Sequence, residues 1–281
     1  MRILSVLLVI FSGSLSYYAI SSEPEKSILI FSDYAKGIFS YNFKTSQLET
    51  LYLSDKNNYV MSVASLNSHQ FIFSECSILG RCNMKIFSRL PSDIKDVGLG
   101  VFPFVVGNEL FFSQYDKLNK RQNLIATLLS ESNELTHSRL VDVDVNLQYL
   151  VPSTDGLYYL SNKNNLQFYS FNSQKVITIS ANLVPVMFSK EKGGLISYNM
   201  QIGNYALLEK NTSNDNHIAR DLDFFDIGTP IVIPNGQKII FPARVNHWIV
   251  SETSHIFSLD LQSGDKEVLI KHKQLISGFV Q

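Results

Sequence analysis

Short apolar runs separated by polar turns recur from Ile28 to the end of the chain, and the spacing of an amphipathic helix is hard to find after residue 25. One phrase returns six times: "ILIFSD" from Ile28, "FIFSEC" from Phe71, "LFFSQY" from Leu110, "LYYLSN" from Leu157, "LISYNM" from Leu195 and "IIFPAR" from Ile239. The intervals are 43, 39, 47, 38 and 44 residues. A unit of that length holds four short strands, the content of one propeller blade. Each phrase is followed by an aromatic-rich strand, such as "GIFSYNF" from Gly37 or "HIFSLDL" from His255, and then by a more polar one, such as "LETLYL" or "KEVLIK". Polarity suits the outer edge strand, where charge discourages sheet-to-sheet pairing.

An innermost strand should precede each phrase, and five candidates are present: "YVMSVAS" at Tyr59, "VFPFVV" at Val101, "LQYLVP" at Leu147, "LVPVMF" at Leu183 and "TPIVIP" at Thr229. The first repeat has none. The apolar tail "QLISGFVQ", Gln274 to Gln281, follows the last outer strand and supplies the missing one. The expected fold is all-β: a six-bladed β-propeller of four-stranded blades, closed by the C-terminal strand completing blade one.

The start reads differently. Arg2 and the apolar "ILSVLLVIF", Ile3 to Phe11, with small residues Ala19 and Ser21 before a possible cut at Ser22, predict a signal peptide over 1–21 and a single propeller domain over 22–281. An uncleaved anchor is the alternative. Export places the protein in the periplasm or outside the cell, where disulfides persist. Cys76 and Cys82 flank the hairpin loop "SILGR", and a disulfide between them would staple its two ends; two free thiols are the alternative.

Composition excludes some partners. With 24 basic and 25 acidic residues the net charge is −1, and no basic run stands out, so nucleic acid is not expected. Charged residues make up only 17% and aromatics 12% of the chain, a balance that favours sheet.

Turns carry a family resemblance. In "IPNGQKIIF", Ile233 to Phe241, a Pro-Asn-Gly turn leads into an apolar strand; in "HIFSLDLQSGDKEVL", His255 to Leu269, a strand ending at Asp260 leads to a Ser-Gly turn. "PSTDGLYYLS", Pro152 to Ser161, and "FSDYAKGIFSYNFKTSQLETL", Phe31 to Leu51, are looser copies. These resemble the repeat of the TolB-like six-bladed propellers, over roughly Ile28 to Gln281. The resemblance implies the propeller alone, without the family's amino-terminal α/β domain, and no particular partner carries over.

Candidate chemistry is sparse. The six histidines form no H-E-x-x-H or similar pair, and no G-x-S-x-G nucleophile elbow occurs, so no catalytic residue, metal site or cofactor is expected. Two acidic clusters, "DVDVN" at Asp142 to Asn146 and "DLDFFD" at Asp221 to Asp226, fall between an outer strand and the next innermost strand. Leu147 stands where a calcium loop of the EF-hand type needs glycine. Asp142, Asp144, Asp221 and Asp223 are instead candidates for an acidic lining at one mouth of the ring. In "RVNHWIVSETSH", His247 and Trp248, the only tryptophan, lengthen a hairpin loop and form a second candidate contact.

The leading expectation is a non-enzymatic, monomeric binding or scaffold protein whose propeller face binds another protein or an envelope component. The membrane would be reached only through an uncleaved N-terminal segment. A propeller enzyme of the sugar-lyase or lactonase-like kind, with an axial metal, and a membrane-anchored sensory partner are the alternatives.

Overall fold

The computed structural model describes residues 28–33, 37–89, 91–130, 132–189, 194–199, 201, 204–209, 215–219, 231–232, 238–247, 250–260, 263–273 and 275–281. The 1–27 segment, which holds the expected signal peptide, and the Pro234–Gly236 turn lie outside them. Along the chain, β1 (Ile28–Asp33), β2 (Gly37–Asn42) and β3 (Gln47–Leu53) begin the first sheet. The second is β4 (Asn58–Ser65), β5 (Gln70–Ser77), β6 (Cys82–Arg89) and β7 (Ser92–Leu99). The third is β8 (Val101–Val106), β9 (Glu109–Asp116), β10 (Arg121–Leu129) and β11 (Leu135–Val143). The fourth is β12 (Val145–Pro152), β13 (Gly156–Ser161), β14 (Asn165–Ser170) and β15 (Val176–Ala181). The fifth is β16 (Leu183–Ser189), β17 (Gly194–Asn199), β18 (Asn204–Glu209) and β19 (Asp215–Ala219). The sixth is β20 (Ile231–Val232), β21 (Lys238–His247), β22 (Val250–Asp260) and β23 (Lys266–Lys271), after which β24 (Leu275–Val280) joins the first sheet beside β1.

Strands within each sheet pair antiparallel, and β24, β4, β8, β12, β16 and β20 neighbour one another in that cyclic order. This is an all-β propeller with a velcro-like closure. The continuous apolar runs have a direct cause: the first four sheets are each covered on both faces by their neighbours, so a central strand has no wet side to alternate towards. In β1, Leu29 and Phe31 pack with Ile240 and Ile256 of the sixth sheet, while Ile30 packs with Val63, Phe71 and Phe73 of the second. In β13, Leu157 and Tyr159 meet Phe111 and Leu124 of the third sheet, whereas Tyr158 and Leu160 meet Leu183 and Leu195 of the fifth. Outer strands have one covered face at most, and β3 and β7 are largely exposed.

A second, polar set of contacts accompanies these cores. The serine within several copies of the repeated phrase is buried, as at Ser32, Ser74, Ser113 and Ser197. A buried hydroxyl needs partners, and the first two find them on innermost strands. Ser32 Oγ donates to the carbonyl of Ser277 at 3.3 Å; Ser74 Oγ lies 2.7 Å from Ser62 Oγ, and both accept from the Phe102 amide at 3.1 Å.

Closure uses the same device. β24 pairs with β1 from Leu29↔Val280 to Asp33↔Leu275. Ser277 then reaches the next sheet: its Oγ donates to the Val63 carbonyl at 3.1 Å and accepts from the Val63 amide at 3.2 Å. Beneath the strand, Lys273 lies 3.2 Å from Asp33 and 3.7 Å from the centre of the Phe39 ring.

Ser277→Ala leaves both polar groups of Val63 without this partner and should cost about 1–3 kcal/mol. Removal of Leu275–Gln281 should cost more, since it also opens the β1 edge. Chemical denaturation of the two variants checks the order, and an unchanged midpoint for the truncated chain would contradict the role given to β24.

Candidate functional site

The connections of the propeller alternate between its two faces because the strands are antiparallel. Links from an outer strand to the next innermost strand share one face with the turns between the second and third strands of each sheet. Three of those links are single residues, Gly100, Asp144 and Asn182, which keep the joined strand ends on the same side. Asp144 and Asn182 adopt φ of 57° and 64°, in the left-handed region that Asp and Asn tolerate better than most residues. We call this side the link face and the opposite one the turn face.

Two of the acidic residues expected at the ring mouth, Asp142 and Asp144, are thus at the link face, but their carboxylates are already engaged. Asp142 accepts from the Tyr159 hydroxyl at 2.7 Å and from the Val143 amide at 2.8 Å. Asp144 accepts from the Asn162 side-chain amide at 2.6 Å. Asp142 on β11 and Tyr159 on β13 belong to adjacent sheets, so this bond is a tie between blades. Arg139 makes a parallel one, donating to Tyr169 at 2.7 Å and to Glu109 at 2.9 Å. Tyr52 and Glu75 repeat the motif between the first and second sheets at 2.6 Å, with Lys85 on the other oxygen of Glu75 at 2.6 Å.

Of the other expected residues, His247 ends β21, where its backbone pairs with Val250 near the tip of a long hairpin. Trp248, Asp221 and Asp223 lie outside the described residues. His255 and His272, unrelated in sequence, come together with ring centroids 5.3 Å apart, and the His272 amide donates to His255 Nδ1 at 3.1 Å. Among the described residues no group of three or more His, Cys, Asp or Glu side chains is arranged to hold a metal.

Cys76 and Cys82 are disulfide-bonded. They close the loop Ser77–Arg81 on the link face, and the loop is further held by Ser77 N–H to the Arg81 carbonyl at 2.8 Å and Gly80 N–H to the Ser77 carbonyl at 2.8 Å. Gly80 takes φ of 80° with open space around it, so glycine serves the backbone here, not packing. At the tip, Ile78 is 69% and Leu79 91% exposed. Behind the loop lies a polar cavity of about 330 Å³ lined by Asn58, Glu75, Ser77, Arg81, Asn83 and Lys85.

The neighbouring sheet presents a matching turn. Between β9 and β10, Asp116 accepts from the Leu118 and Asn119 amides at 3.0 and 3.2 Å and from the Asn119 side chain at 2.7 Å. Those bonds from Asn119, with that from Leu118 and the nearby Arg121, hold the Asp116 carboxyl below its usual range. At its tip Leu118 is 90% exposed. In the sequence both tips are only apolar letters inside otherwise polar loops.

Charge differs between the faces. In the described connections of the link face, setting aside the Lys273–Asp33 pair, Lys56, Arg81, Lys117, Lys120 and Lys163 stand against Asp55 and Asp144. On the turn face Lys44 and Lys175 stand against Glu134, Asp155 and Asp265.

Burial, and then the hydrogen bond to Asp142, push the Tyr159 phenol far above its ordinary range near 10. Because the folded value is raised, this contribution to stability is complete below pH 10 and is lost as pH rises beyond it. Each pH unit above 10 should remove up to about 1.4 kcal/mol for this one group. Tyr159→Phe should lower stability at pH 7 by about 1.5–3 kcal/mol and flatten that alkaline slope; urea midpoints from pH 7 to 11 check both.

No protein-family model and no curated protein matches the chain. Solved structures do resemble it. TolB from Acinetobacter baumannii superposes with a TM-score of 0.66 at 12% identity, covering 90% of this chain and 66% of TolB. A protein of unknown function from Bacteroides caccae gives 0.59 at 8% identity, covering 90% and 98%. The periplasmic gluconolactonase PpgL of Pseudomonas aeruginosa gives 0.53 at 11% identity, covering 87% and 82%. The chain thus spans about two thirds of the length of TolB. At such low identities the likeness establishes the fold alone, and the fold is a β-propeller.

Proposed function

We propose that the protein is a six-bladed, extracytoplasmic binding or scaffold propeller, TolB-like in its ring, that docks an envelope component through its link face. The observation that carries this reading is the disulfide-closed loop holding Ile78 and Leu79 in water, at 69% and 91% exposure. Exposing such side chains on a loop costs solubility, and a covalent staple fixes them in position. Rigid presentation lowers the entropy lost on docking. The staple also fits an oxidising compartment, in keeping with the signal-like start. Asp142 and Asp144 take a structural part in this reading, bracing the third and fourth sheets beneath the face.

A photo-crosslinking amino acid placed at Leu79 or Leu118 should capture an envelope component in cells, while the same group at Asn108 or Thr154 on the turn face should not. Equal capture from the two faces, or none from either, overturns the reading. Cys76→Ala/Cys82→Ala should lower stability by up to about 2 kcal/mol and reduce capture from position 79 without affecting capture from position 118.

A further inference from the structure

We infer that the component met by the link face is an anionic lipid surface, with Ile78, Leu79 and Leu118 entering the interfacial region and the surrounding cations meeting the headgroups. This rests on the face assignment above and names its partner.

Three observations carry it. Among the described residues, the two large hydrophobic ones exposed by 90% or more, Leu79 and Leu118, both sit at link-face tips, in adjacent sheets. Each tip is one or two apolar residues within a polar turn, flanked by cations: Arg81 beside the first, Lys117 and Lys120 beside the second. Among the described residues, the connections of this face carry an excess of positive charge that those of the turn face lack, which would orient the ring on a negative surface.

Protein interfaces are built differently. Their cores are continuous patches enriched in aromatic residues and arginine and depleted in lysine, and leucine is uncommon among their hot spots. Separate aliphatic tips beside cations, Arg81 at one and Lys117 and Lys120 at the other, instead match an interfacial mode, in which affinity comes from buried apolar area added to attraction for anionic lipid. Both loops are held before contact, one by the Cys76–Cys82 disulfide and one by the three bonds to Asp116, so the tips need no ordering on arrival. The membrane need not be reached through the N-terminal segment alone, as expected from sequence.

The test is co-sedimentation of the full-length protein, as cells accumulate it, with vesicles of phosphatidylcholine or of phosphatidylcholine mixed with phosphatidylglycerol. Binding should favour the anionic vesicles and fall as salt rises. Leu79→Ser/Leu118→Ser should weaken it by about tenfold or more, and Lys117→Gln/Lys120→Gln by about 25-fold, near fivefold per cation. Lys44→Gln/Lys175→Gln on the turn face should leave it unchanged, and circular dichroism of each variant establishes that it is folded. Equal binding to both vesicle types, or folded link-face variants that bind like the parent chain, overturns the inference. If vesicles are not bound while position 79 still captures a protein in cells, the lipid partner is wrong and the face assignment stands.

Discussion

Pairing of β24 with β1 is the constraint on which the other contacts depend. A sheet is buried on both faces only where it has a neighbour on both sides, and that condition holds throughout the propeller only when the first sheet is complete. Leu275 shows the coupling at one residue. It lies in the core shared by Leu29 and Phe31 of the first sheet with Ile240, Ile256 and Ile270 of the sixth. A missing β24 would leave a row of open hydrogen-bonding groups on β1 and a gap in that core.

Apolar packing and polar ties have separate tasks here. The cores supply most of the cohesion, since burial is non-directional and scales with area. They do not fix how far one sheet turns against the next. The ties do that: Ser277 with both polar groups of Val63, Ser62 and Ser74 with the Phe102 amide, and Tyr159 with Asp142 each join two sheets at a defined place. Buried and satisfied, such groups specify geometry, and they penalise any arrangement that separates them.

The sheet order could be read from the sequence because two-sided burial writes itself as uninterrupted apolar runs, and because counting innermost strands left a vacancy that only "QLISGFVQ" could fill. The serines of the repeated phrase were visible as letters, but nothing in the spacing of Ser74 points to the amide of Phe102. Asp142 shows how little of a site's surroundings a local stretch reveals. Its neighbours Asp144 and Asn146 suggest an acidic lining, whereas its partner Tyr159 stands in the next sheet, buried among the residues of "LYYLSN". The meeting of His255 with His272 depends instead on register within one sheet, where His255 pairs with Lys271. Loop tips were hidden differently: Leu79 and Leu118 are ordinary letters, and only the held conformation of each turn turns them outward.

The closure also sets a timetable. Ser32 and Ser277, which touch across the β1–β24 ladder, are 245 residues apart in the chain. At about 5–20 residues per second, a ribosome needs roughly 12–50 s to travel from one to the other. Throughout that interval β1 waits with one edge unpaired, the condition in which strands recruit foreign partners. A nascent chain of this kind benefits from a chaperone or from translocation that delays folding until the last strand has emerged.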